Sequence, residues 1–310
     1  MKYTLLFLAL SVQTLCAGLE EYSQLVVADG RSNTSPRHGV RVTYLGTNGF
    51  ELRSGSHTLL VDPYFSRINF SRTAFGSPIQ PDLNRINDGL KHLSRKADAI
   101  VVTHGHFDHL LDAPVVMRAT GARLIASRSA VQLAQRAGAP SSRCDVVTAG
   151  SVRHIGPWKI RALPATHDRL FSNVPYPGEA HGTGPPQHAS DWACGEPLAY
   201  LIEINGLRIY VDSGGSPAVL PPASIAPVDL AILGVALPDS RDRFPAAIRR
   251  LRPRYVFPSH QDNFFRPLNA GFEFGLLTDF QGVLHDYKGK ALPGRLILLD
   301  YFRPWTLQKK

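Results

Sequence analysis

Short apolar runs punctuated by glycine and proline organise the chain from residue 41 onward. Runs at 41–45, 50–53 and 58–61 predict three strands joined by glycine-containing turns. Residues 82–96 then predict a helix, 97–103 an apolar strand, 114–119 a short helix and 123–126 another strand. A helix over 128–137 ends at Gly138. Residues 152–154 and 158–163 predict a hairpin around Gly156-Pro157. A second hairpin joins 198–204 to 207–211 through Asn205-Gly206, a pair suited to the positive φ of a two-residue turn. A buried strand at 228–233, a helix at 243–251, a strand at 254–257 and a late strand at 294–299 complete the pattern. Strands open as a meander and then mix with helices, twice over. This order predicts an α/β (α+β) fold of two packed sheets with helices outside, the alternative being one doubly wound parallel sheet.

Two stretches break the periodicity. Residues 169–197 are rich in Gly, Pro, Ser, Asn and His, and a loop that long inside a compact domain is usually functional or disordered. It is read as a lid carrying Tyr176, His181, His188 and Trp192, with a solvated insertion as the alternative. At the N-terminus, Lys2 precedes an apolar segment at 5–12 and the small residues Ala17 and Gly18. This predicts a signal peptide at 1–18, and so a secreted or periplasmic protein; a retained anchor or buried first helix is the other reading. Residues 19–39 are expected to be a flexible lead-in and 40–310 the functional domain.

Composition adds little to this picture. At 310 residues, 44% hydrophobic and 19% charged, the chain can bury a core without disulfides. No run reaches the ~18–20 apolar residues that span a bilayer. Cys144 and Cys194 remain after signal removal and either pair or sit as small buried residues. Neither belongs to a C-x-x-C motif, which argues against a cysteine zinc site. The net charge of +9 favours anionic partners, although the basic residues are scattered.

The chemistry concentrates at the end of the strand over 97–103, in Thr103-His104-Gly105-His106-Phe107-Asp108-His109. Imidazole and carboxylate together suit zinc, manganese or iron. His104 and His106 can serve one ion, Asp108 and His109 a second. Three more candidates follow predicted strands: His167, Asp212 and His260. A lone histidine after a strand is usually structural, but four segments arriving in this way argue for a site.

With these residues the chain resembles the metallo-β-lactamase-fold hydrolase superfamily from about Arg41 to the neighbourhood of Phe264. Tyr44-Leu45-Gly46-Thr47-Asn48-Gly49-Phe50 and Leu60-Val61-Asp62-Pro63 resemble the branch of L-ascorbate-6-phosphate lactonases and N-acyl-phosphatidylethanolamine phospholipase D. The resemblance implies a four-layer αβ/βα sandwich. It also implies His104, His106 and His167 around a first metal, Asp108, His109 and His260 around a second, and Asp212 as their bridge. Asp62 would be a supporting carboxylate. Having Asp212 rather than a cysteine sets the chain apart from the cysteine-containing dinuclear β-lactamases.

The resulting expectation is a hydrolase using two divalent metal ions, zinc or else manganese or iron. Water activated between the ions would be the nucleophile, with Asp108 and Asp212 in the catalytic centre. The expected substrate is a small or lipid-type anionic phosphodiester, or a lactone or ester. A nucleic-acid hydrolase and a non-catalytic metal sensor are the alternatives; the first is disfavoured because no nucleic-acid-binding domain accompanies the fold.

Overall fold

The computed structural model describes residues 18–27, 36 and 38–309. The expected signal peptide, apart from Gly18, lies outside the described residues. Two seven-stranded sheets follow one plan. In the first, β1 (Gly39–Gly46), β2 (Gly49–Ser54) and β3 (His57–Val61) form an antiparallel meander; β4 (Ala99–Val101), β5 (Arg123–Ala126) and β6 (Cys144–Val146) continue it in parallel. In the second, β7 (Val152–Ile155), β8 (Trp158–Pro164), β9 (Leu198–Ile204) and β10 (Leu207–Val211) form the meander. There β11 (Leu230–Gly234), β12 (Tyr255–Ser259) and β13 (Arg295–Leu296) add the parallel half. A last strand, β14 (Pro304–Gln308), returns to pair with β1.

Side-chain alternation builds the layers. On β1, Val40, Val42 and Tyr44 enter the core between the sheets, whereas Leu45 faces the helices outside. On β10, Leu207, Ile209 and Val211 point between the sheets and Tyr210 points outward. Helices Leu83–Leu90, Ala113–Thr120 and Arg128–Arg136 cover the first sheet through Ile86, Val116, Met117, Ala130 and Leu133. Helices Pro238–Leu251 and Phe280–Gly289 cover the second through Phe244, Ile248, Leu251, Phe280 and Val283. The result is the expected four-layer sandwich. Tyr200 pins its halves together, its hydroxyl donating from β9 to the Val102 carbonyl at 2.8 Å.

Three expectations change. The lead-in is docked over part of its length: Leu19–Tyr22 forms a 3-10 turn whose Leu19 and Tyr22 are buried. Tyr22 meets Phe274 and Phe280 edge-on, and Val26 bridges to Leu298. Apolar anchors among polar neighbours outweigh the turn-rich composition there. The helix expected over 243–251 starts five residues earlier, because Pro238 occupies its first turn, where proline needs no hydrogen-bond partner. The strand expected over 294–299 shortens to β13, and β14 was not anticipated. Cys144 and Cys194 are both free thiols.

One buried ion pair ties the fold beneath the C-terminal edges of both sheets. Asp262 accepts from Arg67 Nη1 (2.8 Å), Tyr44 (2.9 Å), Tyr301 (2.6 Å) and the Thr47 amide (2.8 Å). Neither partner of the pair is exposed to solvent. Burial opposes ionisation of Asp262, but Arg67 outweighs it and holds the carboxyl below its ordinary range. Removing one partner of such a pair strands the other charge. Asp262→Ala is therefore expected to destabilise the protein by about 3–5 kcal/mol in a urea titration; a loss within about 1 kcal/mol, the scale of an exposed pair, would contradict this role.

Candidate metal centre

The end of β4 turns sharply through Thr103 to His106, and a single helical turn, Phe107–Leu110, presents Asp108 and His109. His167 follows β8, and His260 follows β12 in a left-handed conformation (φ 56°). That conformation is unfavourable for a residue with a side chain. It is held by the His260 amide, which donates to the Thr47 carbonyl at 2.6 Å. Asp62, at the end of β3, is also left-handed (φ 37°). Both residues stand where the sheet ends meet.

Six of the expected residues gather into two groups of three, His104/His106/His167 and Asp108/His109/His260. Within each group the ligand-capable atoms lie within 4.8 Å of one another. His104 Nε2 faces His106 Nδ1 at 2.9 Å, and His260 Nε2 faces Asp108 Oδ2 at 3.2 Å. The groups adjoin, with His104 and His109 ring centres 4.0 Å apart.

What lies behind the rings decides what they can do. A carbonyl or carboxylate oxygen only accepts, so a ring nitrogen bonded to one carries the proton. His106 Nε2 meets the Pro175 carbonyl at 2.8 Å, His109 Nδ1 meets Asp62 Oδ2 at 2.8 Å, and His167 Nδ1 meets the Asp168 carbonyl at 2.7 Å. When neutral, each ring therefore turns a lone pair toward its group from the opposite nitrogen. This is the support that metal-binding imidazoles require. Asp62 is itself fixed by the Thr103 amide (2.8 Å), the Thr103 hydroxyl (2.6 Å) and Asn48 Nδ2 (2.8 Å).

Electrostatics separates the groups. Burial, reinforced by neighbouring imidazoles, pushes His104 far below its ordinary value and His106 down to about 3. His167 falls to about 4, chiefly through burial. These three stay neutral at physiological pH. Burial also opposes a charged His109, but Asp108 and Asp62 outweigh it and raise its pKa. Asp108 is lowered because His109 and His260 overcome its own burial. The first group is thus a neutral nitrogen donor set, while the second carries a carboxylate. Both suit a borderline divalent cation.

Asp212, expected as the bridge, makes other contacts in this structure. It joins neither group among the described residues. Its Oδ2 accepts from Arg243 Nη1 (2.8 Å) and the Tyr210 hydroxyl (2.9 Å), and its Oδ1 from the amides of Gly214 (3.1 Å) and Gly234 (3.3 Å). The reason is phase: Val211 points between the sheets, so Asp212 points outward with Tyr210 toward helix Pro238–Leu251. Ser213 instead faces the site, its Oγ 3.5 Å from His104 Nδ1.

The loop over 169–197 does reach the site. Beyond the Pro175 contact, Tyr176 lies edge-on to His106 at 6.1 Å, and the Gly105 amide donates to the Cys194 carbonyl. Trp192, Ala193 and Cys194 are buried at the end of the segment, Trp192 against the helices of the first sheet, while most of 171–185 is exposed. Asp168 and Asp262 lie beside His167 and His260 in the sequence, yet neither side chain meets an imidazole: Asp168 uses its main-chain carbonyl, and Asp262 serves Arg67. Sequence reasoning could not find the Pro175 carbonyl, which has no side-chain signature. Ser213 was accessible through the strand phase.

Similarity to known proteins agrees with this geometry. The profile described as "Beta-lactamase superfamily domain" matches residues 41–260. The chain belongs to that family. It is 28% identical over 235 residues to a UPF0173 metal-dependent hydrolase of Rubrobacter xylanophilus, covering 73% of this chain and 83% of the relative. A UPF0173 metal-dependent hydrolase of Thermus thermophilus is 25% identical over 272 residues, covering 84% of this chain and all (100%) of the relative. Among solved structures, the metallo hydrolase Igni18 of Ignicoccus hospitalis has the same fold, with a TM-score of 0.59 at 19% identity, covering 88% of this chain and 100% of that one.

The Asp62–His109 contact generates a test. Asp62→Asn keeps the shape but removes the strong acceptor behind His109. Divalent-cation affinity, measured by competition with a chromogenic chelator, is expected to fall about 10- to 100-fold; unchanged affinity would show that Asp62 does not orient the ring.

Proposed function

We propose that the protein is a two-metal hydrolase, with His104, His106 and His167 holding one divalent cation and Asp108, His109 and His260 the other. The observation that carries this reading is the pair of adjoining three-residue groups whose imidazoles are locked with lone pairs inward. Zinc suits this nitrogen-rich set, and manganese or iron would also fit. When bound, two divalent cations would supply an acidified water and polarise the bond to be broken.

The chain's own residues do the rest. Asp108, kept ionised by His109 and His260, would hold the second cation and orient the water beside it. The loop over 169–197 limits solvent on the His106 side. Tyr176 stands beside His106 and Phe264 beside His260 at 5.3 Å, so aromatic faces flank the reacting centre. They would pack an apolar portion of the substrate next to its scissile group. The net charge of +9 supports an anionic substrate. A phosphodiester, lipid-type or small, fits both features best, with a lactone or ester as the second class.

Stripping the purified protein with a chelator is expected to abolish turnover of bis-p-nitrophenyl phosphate or of a lactone, and added zinc or manganese to restore it. Full activity of the stripped protein would refute the metal-dependent reading. His109→Ala, which removes one ligand and the partner of Asp108, is expected to lower kcat/KM by ~10³, the scale of losing one Lewis acid worth several kcal/mol. Stopped assays with the loaded variant check this; a change below about tenfold would remove His109 from the centre.

A further inference from the structure

Residues 70–83 place apolar side chains where the core cannot use them. The short helix Phe70–Ala74 buries none of its residues. Phe70 is 56% exposed, Phe75 82% and Leu83 58%. A slack chain is not the cause. Ile79 is buried in the core outside the first sheet, and its amide donates to the Gln187 carbonyl at 2.6 Å. His188 Nδ1 meets the Gly76 carbonyl at 3.0 Å. A segment pinned in this way holds its phenylalanines in water, and grouped apolar side chains held so mark a surface that another body covers.

The charge beside them indicates what that body carries. Arg72 leaves the same helix between Phe70 and Phe75 and lines an open cleft of about 740 Å³ with Asn69, Leu83, Arg85 and Arg118. Asp82 also borders the cleft and is taken up by Arg85 at 3.4 Å. Arg72 and Arg118 have no carboxylate partner among the described residues; Arg118 donates to the Gly138 carbonyl at 2.8 Å. Guanidinium groups recognise phosphate. A phospholipid combines both complements in one molecule, phosphate for the arginines and hydrocarbon for the phenylalanines. We propose that this face docks on an anionic phospholipid surface, with Phe70, Phe75 and Leu83 entering the hydrocarbon boundary and Arg72 and Arg118 meeting headgroup phosphates. The net charge of +9 adds attraction to such a surface. The face also adjoins the metal centre: Phe70 meets Phe265 at 5.3 Å, Phe265 meets Phe264 at 4.1 Å, and Phe264 meets His260 at 5.3 Å. Lipid drawn to the cleft therefore arrives beside the second ligand group. The docking itself does not rest on the two-metal reading and is measured without turnover.

The test uses the full chain, so that any affinity of the apolar segment at 5–12 is common to every variant. Phosphatidylcholine vesicles, with and without phosphatidylserine, are sedimented with wild type, Phe75→Ser and Arg72→Ala. Wild type is expected to sediment with the phosphatidylserine vesicles and to be released as salt rises. Phe75→Ser should weaken binding about tenfold, the scale of withdrawing one large apolar side chain. Arg72→Ala should weaken it about fivefold, on the anionic vesicles alone. Phe75→Trp supplies a local readout, because the three native tryptophans, Trp158, Trp192 and Trp305, are buried. Its emission is expected to shift to the blue and to be quenched by brominated lipid tails in anionic vesicles. Unquenched emission at position 75, or unchanged sedimentation of both Phe75→Ser and Arg72→Ala, would overturn the proposal. So would a wild-type dimer in sedimentation equilibrium that Phe75→Ser dissolves, since the face would then belong to a second copy of the chain.

Discussion

An imidazole can offer a lone pair to a cleft only when the proton on its other nitrogen is held elsewhere. In this protein that constraint is met three times by oxygen acceptors behind the rings: Pro175 O behind His106, Asp62 behind His109 and Asp168 O behind His167. Much of the surrounding structure serves these acceptors. Asp62 is locked by Thr103 and Asn48, and Asn48 in turn accepts from Ser259, the residue before His260. The two sheets therefore position one another's candidate ligands across their common edge. The cover over 169–197 contributes an acceptor as well as a wall.

The same edge concentrates buried charge. Asp62, Asp262 and Asp212 each lie at or just past a strand end, and each is satisfied by a different partner: an imidazole, Arg67 and Arg243 respectively. Only Asp62 acts on a candidate ligand directly. Asp262 braces the turn carrying Thr47, whose carbonyl holds the strained backbone of His260. Carboxylates similar in sequence context thus divide between ring orientation and support, according to which layer their side chains enter.

How much could be read in the sequence follows from the same physics. The strands of both meanders were legible because apolar alternation and turn residues act locally; Leu198–Ile204 and Leu207–Val211 were bounded by Asn205-Gly206. The six histidine and aspartate positions were legible because metal chemistry needs those residue types together at strand ends. Asp212 shares its position just after a strand with the other candidates, and the phase set by Val211 and Tyr210 turns it toward Arg243 in this structure. β14 was missed because it is stabilised by pairing with β1, a contact between opposite ends of the chain. The docking of Leu19 and Tyr22 depends on Phe274 and Phe280, equally remote in sequence.

The central claim is that two adjoining ligand groups hold two cations. The most direct measurement is anomalous diffraction from crystals of the zinc-loaded protein. The account predicts two peaks separated by roughly 3.5–4 Å, one bounded by His104, His106 and His167 and the other by Asp108, His109 and His260. A single peak, or peaks bounded by other residues, would contradict it.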